Sequence, residues 1–172
     1  MRPGAPCGAH HCHVGTCDSL AQLDSGLPAG RQTVAGAQGT GAKELKLAFD
    51  FTDANPTVLL KKLDNVETTR KQLIDSGITP KIVMTFRGNA SYFTQNSVAA
   101  VPEADRADAL KVAAKLREMQ KSPGVQSLEQ CNLPLADRKL NPANLMQEVK
   151  LVPNGWIALG QYQQQGYAYI AP

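Results

Sequence analysis

Histidine is absent from residue 14 to the C-terminus: all three of the chain's histidines fall at His10, His11 and His13. The remaining residues therefore have no imidazole to serve as general base, which excludes Ser-His-Asp and Cys-His catalysis there. Cysteine is nearly as scarce. Of four, Cys7, Cys12 and Cys17 lie beside those histidines, and Cys131 stands alone in the rest. No apolar run is long enough to span a bilayer, and the first residues lack the apolar segment of a secretory signal. The expected location is cytoplasmic, with a periplasmic one open if the start is misassigned and a leader has been lost. No Gly-x-Gly-x-x-Gly follows a strand and no Walker loop is present, so no nucleotide or other cofactor is expected. The net charge of +3 is small and both signs are interleaved, as in Lys61-Lys62-Leu63-Asp64. No basic stripe for nucleic acid stands out.

What is present divides into two regions. Residues 1–43 are rich in Gly, Ala, Ser, Thr and Gln and show no helical or strand period. They can bury little surface to offset the entropy of ordering, and read as a disordered tail. Within the tail Cys7, His10, Cys12, His13 and Cys17 are candidate ligands for zinc or copper. Their Cys-x4-Cys-x4-Cys spacing matches no common zinc pattern, and an unstructured extension is the alternative. No metal site is expected in the folded region.

Residues 44–172 suit one domain of ordinary size. Leu45–Phe51 alternates apolar and polar residues as a strand, and Asn55-Pro56-Thr57 opens a helix with Leu59, Leu63, Val66 and Leu73 on one face. Gly77 ends that helix, and Lys81–Phe86 is a nearly continuous apolar strand, suited to the middle of a sheet. A helix beginning at Pro102-Glu103 turns Ala109, Val112, Leu116 and Met119 inward. A third strand ends at Cys131. Short helical pieces follow over 133–138 and 142–146, then a strand over 148–152. A last helix starts at Pro153-Asn154-Gly155 and stops at Gly166, before a final strand over 167–170. Strand and helix alternate throughout, which predicts an α/β domain of three layers, a five-stranded, mostly parallel sheet with helices on both faces.

Parallel strands gather their C-terminal ends on one edge, where ligands bind. That edge carries Thr52, Asp53 and Asn55, then Arg87, Gly88 and Asn89, then Cys131 and Asn132, then Asn154 and Gly155. Cys131 precedes a helix start, whose free N–H groups favour thiolate; an inert buried thiol is the alternative. Arg87 suits a thiolate, persulfide or bound anion, or else pairs with Asp50 or Asp53. With no histidine nearby, the chemistry open to Cys131 is thiol transfer or none.

Three stretches carry a family resemblance: Lys81–Ala90, Gly124-Val125 leading to Cys131, and Leu151–Ile170 with its Gln-Gly-Tyr-Ala ending. In these the chain resembles the DsrE/DsrF-like family of small sulfur-relay proteins across residues 44–172. Where many relatives have His-Gly after the second strand, this chain has Arg87-Gly88. The resemblance implies a parallel α/β fold, assembly as a homo-oligomer (trimer or hexamer), and sulfur carried as a persulfide on Cys131. It also implies a sulfur-donor or acceptor protein as partner. The rival function is a non-catalytic oligomeric module that binds a small anion or metabolite, or an assembly partner in sulfur metabolism.

Overall fold

The computed structural model describes residues 43–172. Residues 1–42, with the candidate ligands Cys7, His10, Cys12, His13 and Cys17, lie outside the described residues. Five strands, β1 (Glu44–Phe51), β2 (Thr79–Phe86), β3 (Val125–Cys131), β4 (Val149–Val152) and β5 (Ala168–Ile170), form one sheet in the order β4-β3-β2-β1-β5. Every pairing is parallel, which makes the sheet wholly rather than mostly parallel.

The strand period of two divides the side chains between the faces. Leu47, Phe49 and Phe51 of β1, with Ile82, Met84 and Phe86 of β2, enter the main core. Phe51 and Phe86 are register partners, fully buried, with rings stacked at 5.4 Å. Each such side chain contributes about 2–3 kcal/mol by leaving water. Two helices cover this face. The first, α1 (Pro56–Asp75), is capped by Asn55, whose Oδ1 accepts the Val58 N–H at 3.1 Å, and it buries Leu59, Leu63 and Val66. The second, α2 (Arg106–Gln120), buries Ala109, Val112, Leu116 and Met119. Its start differs from the sequence expectation: Glu103–Asp105 form a 3-10 turn, closed by the Asp105 N–H on the Pro102 carbonyl, and the α-helix follows it.

The opposite face is smaller and mixed. Ala48, Val83 and Leu159 form a minor apolar cluster there, beneath α4 (Gly155–Gln164). Around it the sheet carries Asp50, Thr85 and Glu129, all buried. A short helix, α3 (Leu133–Asp137), follows β3 on the α1/α2 side, against the 3-10 segment Gly88–Thr94. The chain thus leaves β3 toward one face and leaves β4 toward the other. A crevice opens where neighbouring strand ends diverge in this way.

At the opposite end of the sheet, Arg70 holds the loop entering β3. Its Nη1 donates to the Pro123 carbonyl at 3.0 Å while Nε and Nη2 grip Glu67, both at 2.7 Å. The next residue, Gly124, has φ +91°, and a Cβ there would lie 2.5 Å from Pro80 Cγ and 2.8 Å from the Pro80 carbonyl oxygen. Gly124→Ala is expected to destabilise the domain by about 2–4 kcal/mol in chemical denaturation. Gly160→Ala, in the middle of α4 with open space at its Cβ position, is expected to stabilise it by roughly 0.5–1 kcal/mol. Equal midpoints for the two variants would contradict this account of the backbone.

Candidate functional site

Strand register assembles the site. Phe86 pairs with Gln130 and Cys131 with Val152. One residue further along β2, Arg87 comes beside Cys131, on the α4 face. Arg87 reaches back across the sheet to Asp50. Its Nε donates to Oδ1 at 2.8 Å and its Nη2 to Oδ2. Tyr169 of β5 donates its hydroxyl to the same Oδ2 at 2.8 Å. The Asp50 side chain is only 2% exposed, so its charge needs these partners. Hydrogen bonding to Asp50 raises the pKa of Arg87 despite the opposing effect of burial, and it also pushes the Tyr169 phenol up. The guanidinium stays a cation and the phenol stays a donor.

The N-terminus of α4 closes over this pair. The Gly155 N–H donates to Cys131 Sγ at 3.1 Å, and Asn154 caps the helix by accepting the Trp156 N–H at 3.0 Å. A side chain at position 155 would meet Arg87 Cδ at 2.7 Å and Cys131 Cβ at 3.0 Å, so this approach requires glycine. Trp156 then lies over the Arg87 guanidinium at 5.1 Å. A cation–π contact of this kind contributes about 0.5–1 kcal/mol.

From below, Gln130 fixes the end of β3. It is fully buried, its Oε1 accepts the Thr94 hydroxyl at 2.8 Å, and its Nε2 donates to Ser91 Oγ at 2.8 Å and to the Cys131 carbonyl at 2.7 Å. A satisfied buried network of this type rigidifies what it touches. It ties the 3-10 segment after β2 to the residue bearing the thiol.

The crevice between the β3 and β4 exits is a cavity of about 210 Å³, with Arg87, Gly88, Cys131, Asp137, Arg138 and Asn154 among its lining. Arg138 is held there by Asn89, whose Oδ1 accepts from Nε at 3.1 Å and from Nη2 at 3.0 Å. Cys131 is only 3% exposed, and the cavity is its route to solvent. The arrangement brings together a thiol, a backbone donor aimed at it, and two guanidinium groups, one of them paired with Asp50. Among the described residues no group of three or more His, Cys, Asp and Glu is placed to hold a metal.

Of the residues read from sequence, Cys131, Arg87, Gly88 and Asn154 meet at this cavity. Asn89 lines a neighbouring cavity of about 260 Å³ and touches the first only through Arg138. Asp53 is separate: it pairs with Lys62 at 2.6 Å. Asn55 is the α1 cap, and Asn132 is exposed, with its N–H on the Val152 carbonyl. These three do not line the cavity. One physical reason also changes. The donor at the thiol belongs to α4, not to the five-residue α3 that follows Cys131, because the chain turns away from the sulfur at Asn132. Gly155, read from sequence as an edge residue, belongs to the site, whereas Tyr169 and Arg138 were missed. No local signal marked those two, because both reach the site through partners far away in sequence.

Arg87→Met should cost about 3–5 kcal/mol in chemical denaturation, since it leaves a buried carboxylate without its cation. The double variant Asp50→Asn, Arg87→Met should recover most of that loss. A single variant as stable as the parent would contradict the assigned role of the pair.

Comparison with known proteins supports the fold. No family model matches the chain. An uncharacterised protein of Aquifex aeolicus is 22% identical over 129 residues, covering 75% of this chain and 56% of that protein. The chain therefore spans about half the length of this relative. A solved structure of a protein of unknown function from Methanobacterium thermoautotrophicum is similar with a TM-score of 0.58 at 16% identity, over 74% of this chain and 99% of that one. At this level of identity the similarity establishes a small α/β fold and nothing about chemistry.

Proposed function

We propose that the protein accepts sulfane sulfur on Cys131 and passes it on, as a sulfur carrier of the DsrE-like kind. The observation that carries this reading is the Gly155 N–H on Cys131 Sγ at 3.1 Å, at the head of a ten-residue helix and at the wall of an anion-compatible cavity. Backbone donors and helix N-termini favour the thiolate over the thiol. The thiol proton goes to solvent, and the thiolate attacks the outer sulfur of a persulfide donor. An S–S bond forms at Cys131 Sγ while the donor's own S–S bond breaks, and the donor leaves as a thiolate with the electron pair. The cavity gives the added sulfur room, and Arg87 and Arg138 supply cations for its charge. The reverse step on a second thiol delivers the sulfur.

The rival reading, a non-catalytic module that holds a small anion or metabolite, draws on the same two guanidinium groups. It requires no reaction at Cys131, so Cys131→Ser would retain its ligand. Assembly as a trimer or hexamer accompanies either reading. Leu133 and Trp156 of the cavity lining, and Ile157 beside Trp156 in α4, are half or more exposed, Trp156 at 66%, which is the kind of apolar surface a second copy covers. Among the described residues no helix is long and apolar enough to cross a membrane.

Incubation with glutathione persulfide followed by intact mass is expected to add one sulfur atom to the parent protein and none to Cys131→Ser. A parent protein that stays unmodified under these conditions would sink the carrier reading. Light scattering is expected to give a multiple of the chain mass, and a monomer mass at all concentrations would overturn the assembly.

A further inference from the structure

A second polar pocket lies on the α4 face, nearer the other end of the helix. Glu129 projects from β3 beneath α4 and is 1% exposed. Its Oε1 accepts two hydroxyls, Tyr162 at 2.6 Å and Ser127 at 3.1 Å. Its Oε2 is buried and has no donor. A carboxylate oxygen left in that state is costly, and such an exception in a native fold calls for an explanation. Burial, followed by the bond to Glu129, pushes the Tyr162 phenol up, so it stays a donor and keeps Oε1 occupied.

Glu129 lines a cavity of about 260 Å³ between α4 and the β3–β4 edge, together with Lys150, Val152, Ala158, Gln161 and Tyr162. Lys150 is the register partner of Glu129, so both side chains leave the sheet on the same face. The lysine is exposed and pairs with no carboxylate among the described residues. The lining of one cavity thus includes a buried carboxylate with one donorless oxygen and an exposed ammonium that pairs with no carboxylate among the described residues. Val152 and Ala158 add apolar surface to the same lining.

We propose that this cavity binds a small zwitterion of the amino-acid type, its ammonium on Glu129 Oε2 and its carboxylate on Lys150. A simple cation satisfies Glu129 and is repelled by Lys150; a simple anion meets the reverse. A molecule with both charges suits both ends, and Gln161 adds an amide that can donate to the carboxylate or accept from the ammonium. The site lies on a different stretch of α4 from Cys131 and does not depend on the sulfur reading.

The test uses the full chain, isotope-labelled for amide NMR, titrated separately with glycine, methylammonium and acetate. Glycine is expected to give saturable shifts at Glu129, Lys150 and Ala158, while methylammonium binds more weakly and acetate leaves them unmoved. Lys150→Met, an exposed change that should not disturb folding, is expected to weaken glycine at least about tenfold, as is Glu129→Gln. Cys131→Ser is expected to bind glycine as the parent does. Glycine shifts that fail to saturate, or that survive Lys150→Met, would overturn the proposal. So would methylammonium binding as tightly as glycine, or a crystal structure with the Lys150 ammonium itself seated on Glu129 Oε2.

Discussion

The site depends on one buried charge. Asp50 sits in the sheet with its carboxylate almost wholly out of water, and a fold that buries such a group must bring it a cation. Arg87 fills that need from the next strand, and Tyr169 donates from the strand on the other side. Once the guanidinium is held flat against Asp50, it becomes a platform. Trp156 packs over it, Gly155 approaches its aliphatic stem, and α4 begins at the one place where its first N–H meets Cys131. The thiol's surroundings therefore follow from a charge that never touches the sulfur.

The same demand explains the character of the α4 face. A sheet layer covered by one helix of ten residues cannot bury a large apolar core, and the chain does not attempt one there. Asp50, Thr85 and Glu129 take positions that Val or Ile would fill in a fully covered parallel sheet. Stability comes from the other face, where Phe51, Phe86, Met84 and the helices α1 and α2 pack together. Division of labour between the two faces leaves the polar one free to hold small cavities.

Most of the fold was legible in the sequence because it is written in local periods. The alternation in Leu45–Phe51, the helical spacing of Leu59, Leu63 and Val66, and the inward set Ala109, Val112, Leu116 and Met119 all appear as the sequence analysis reads them. The 3-10 turn before α2 was not, since its residues read equally well as a helix start. At the site, Cys131 and Arg87 were visible as an edge pair because adjacent parallel strands put their ends side by side. The partners that fix them were not. Tyr169 lies 119 residues from Asp50 in sequence, and only the return of β5 beside β1 makes them neighbours. The helix that reaches the thiol was likewise misplaced, because contact order across α4 is not a local property of Cys131.

The proposed function makes Cys131, held under the α4 terminus and beside the Asp50–Arg87 pair, a sulfur acceptor and not a packed thiol. The most direct measurement is a crystal structure of the protein after exposure to a persulfide donor. One added sulfur is expected, bonded to Cys131 Sγ and lying in the cavity lined by Arg87 and Asn154. An unmodified Sγ still sealed beneath Gly155, in crystals whose cavity the donor has entered, would contradict it.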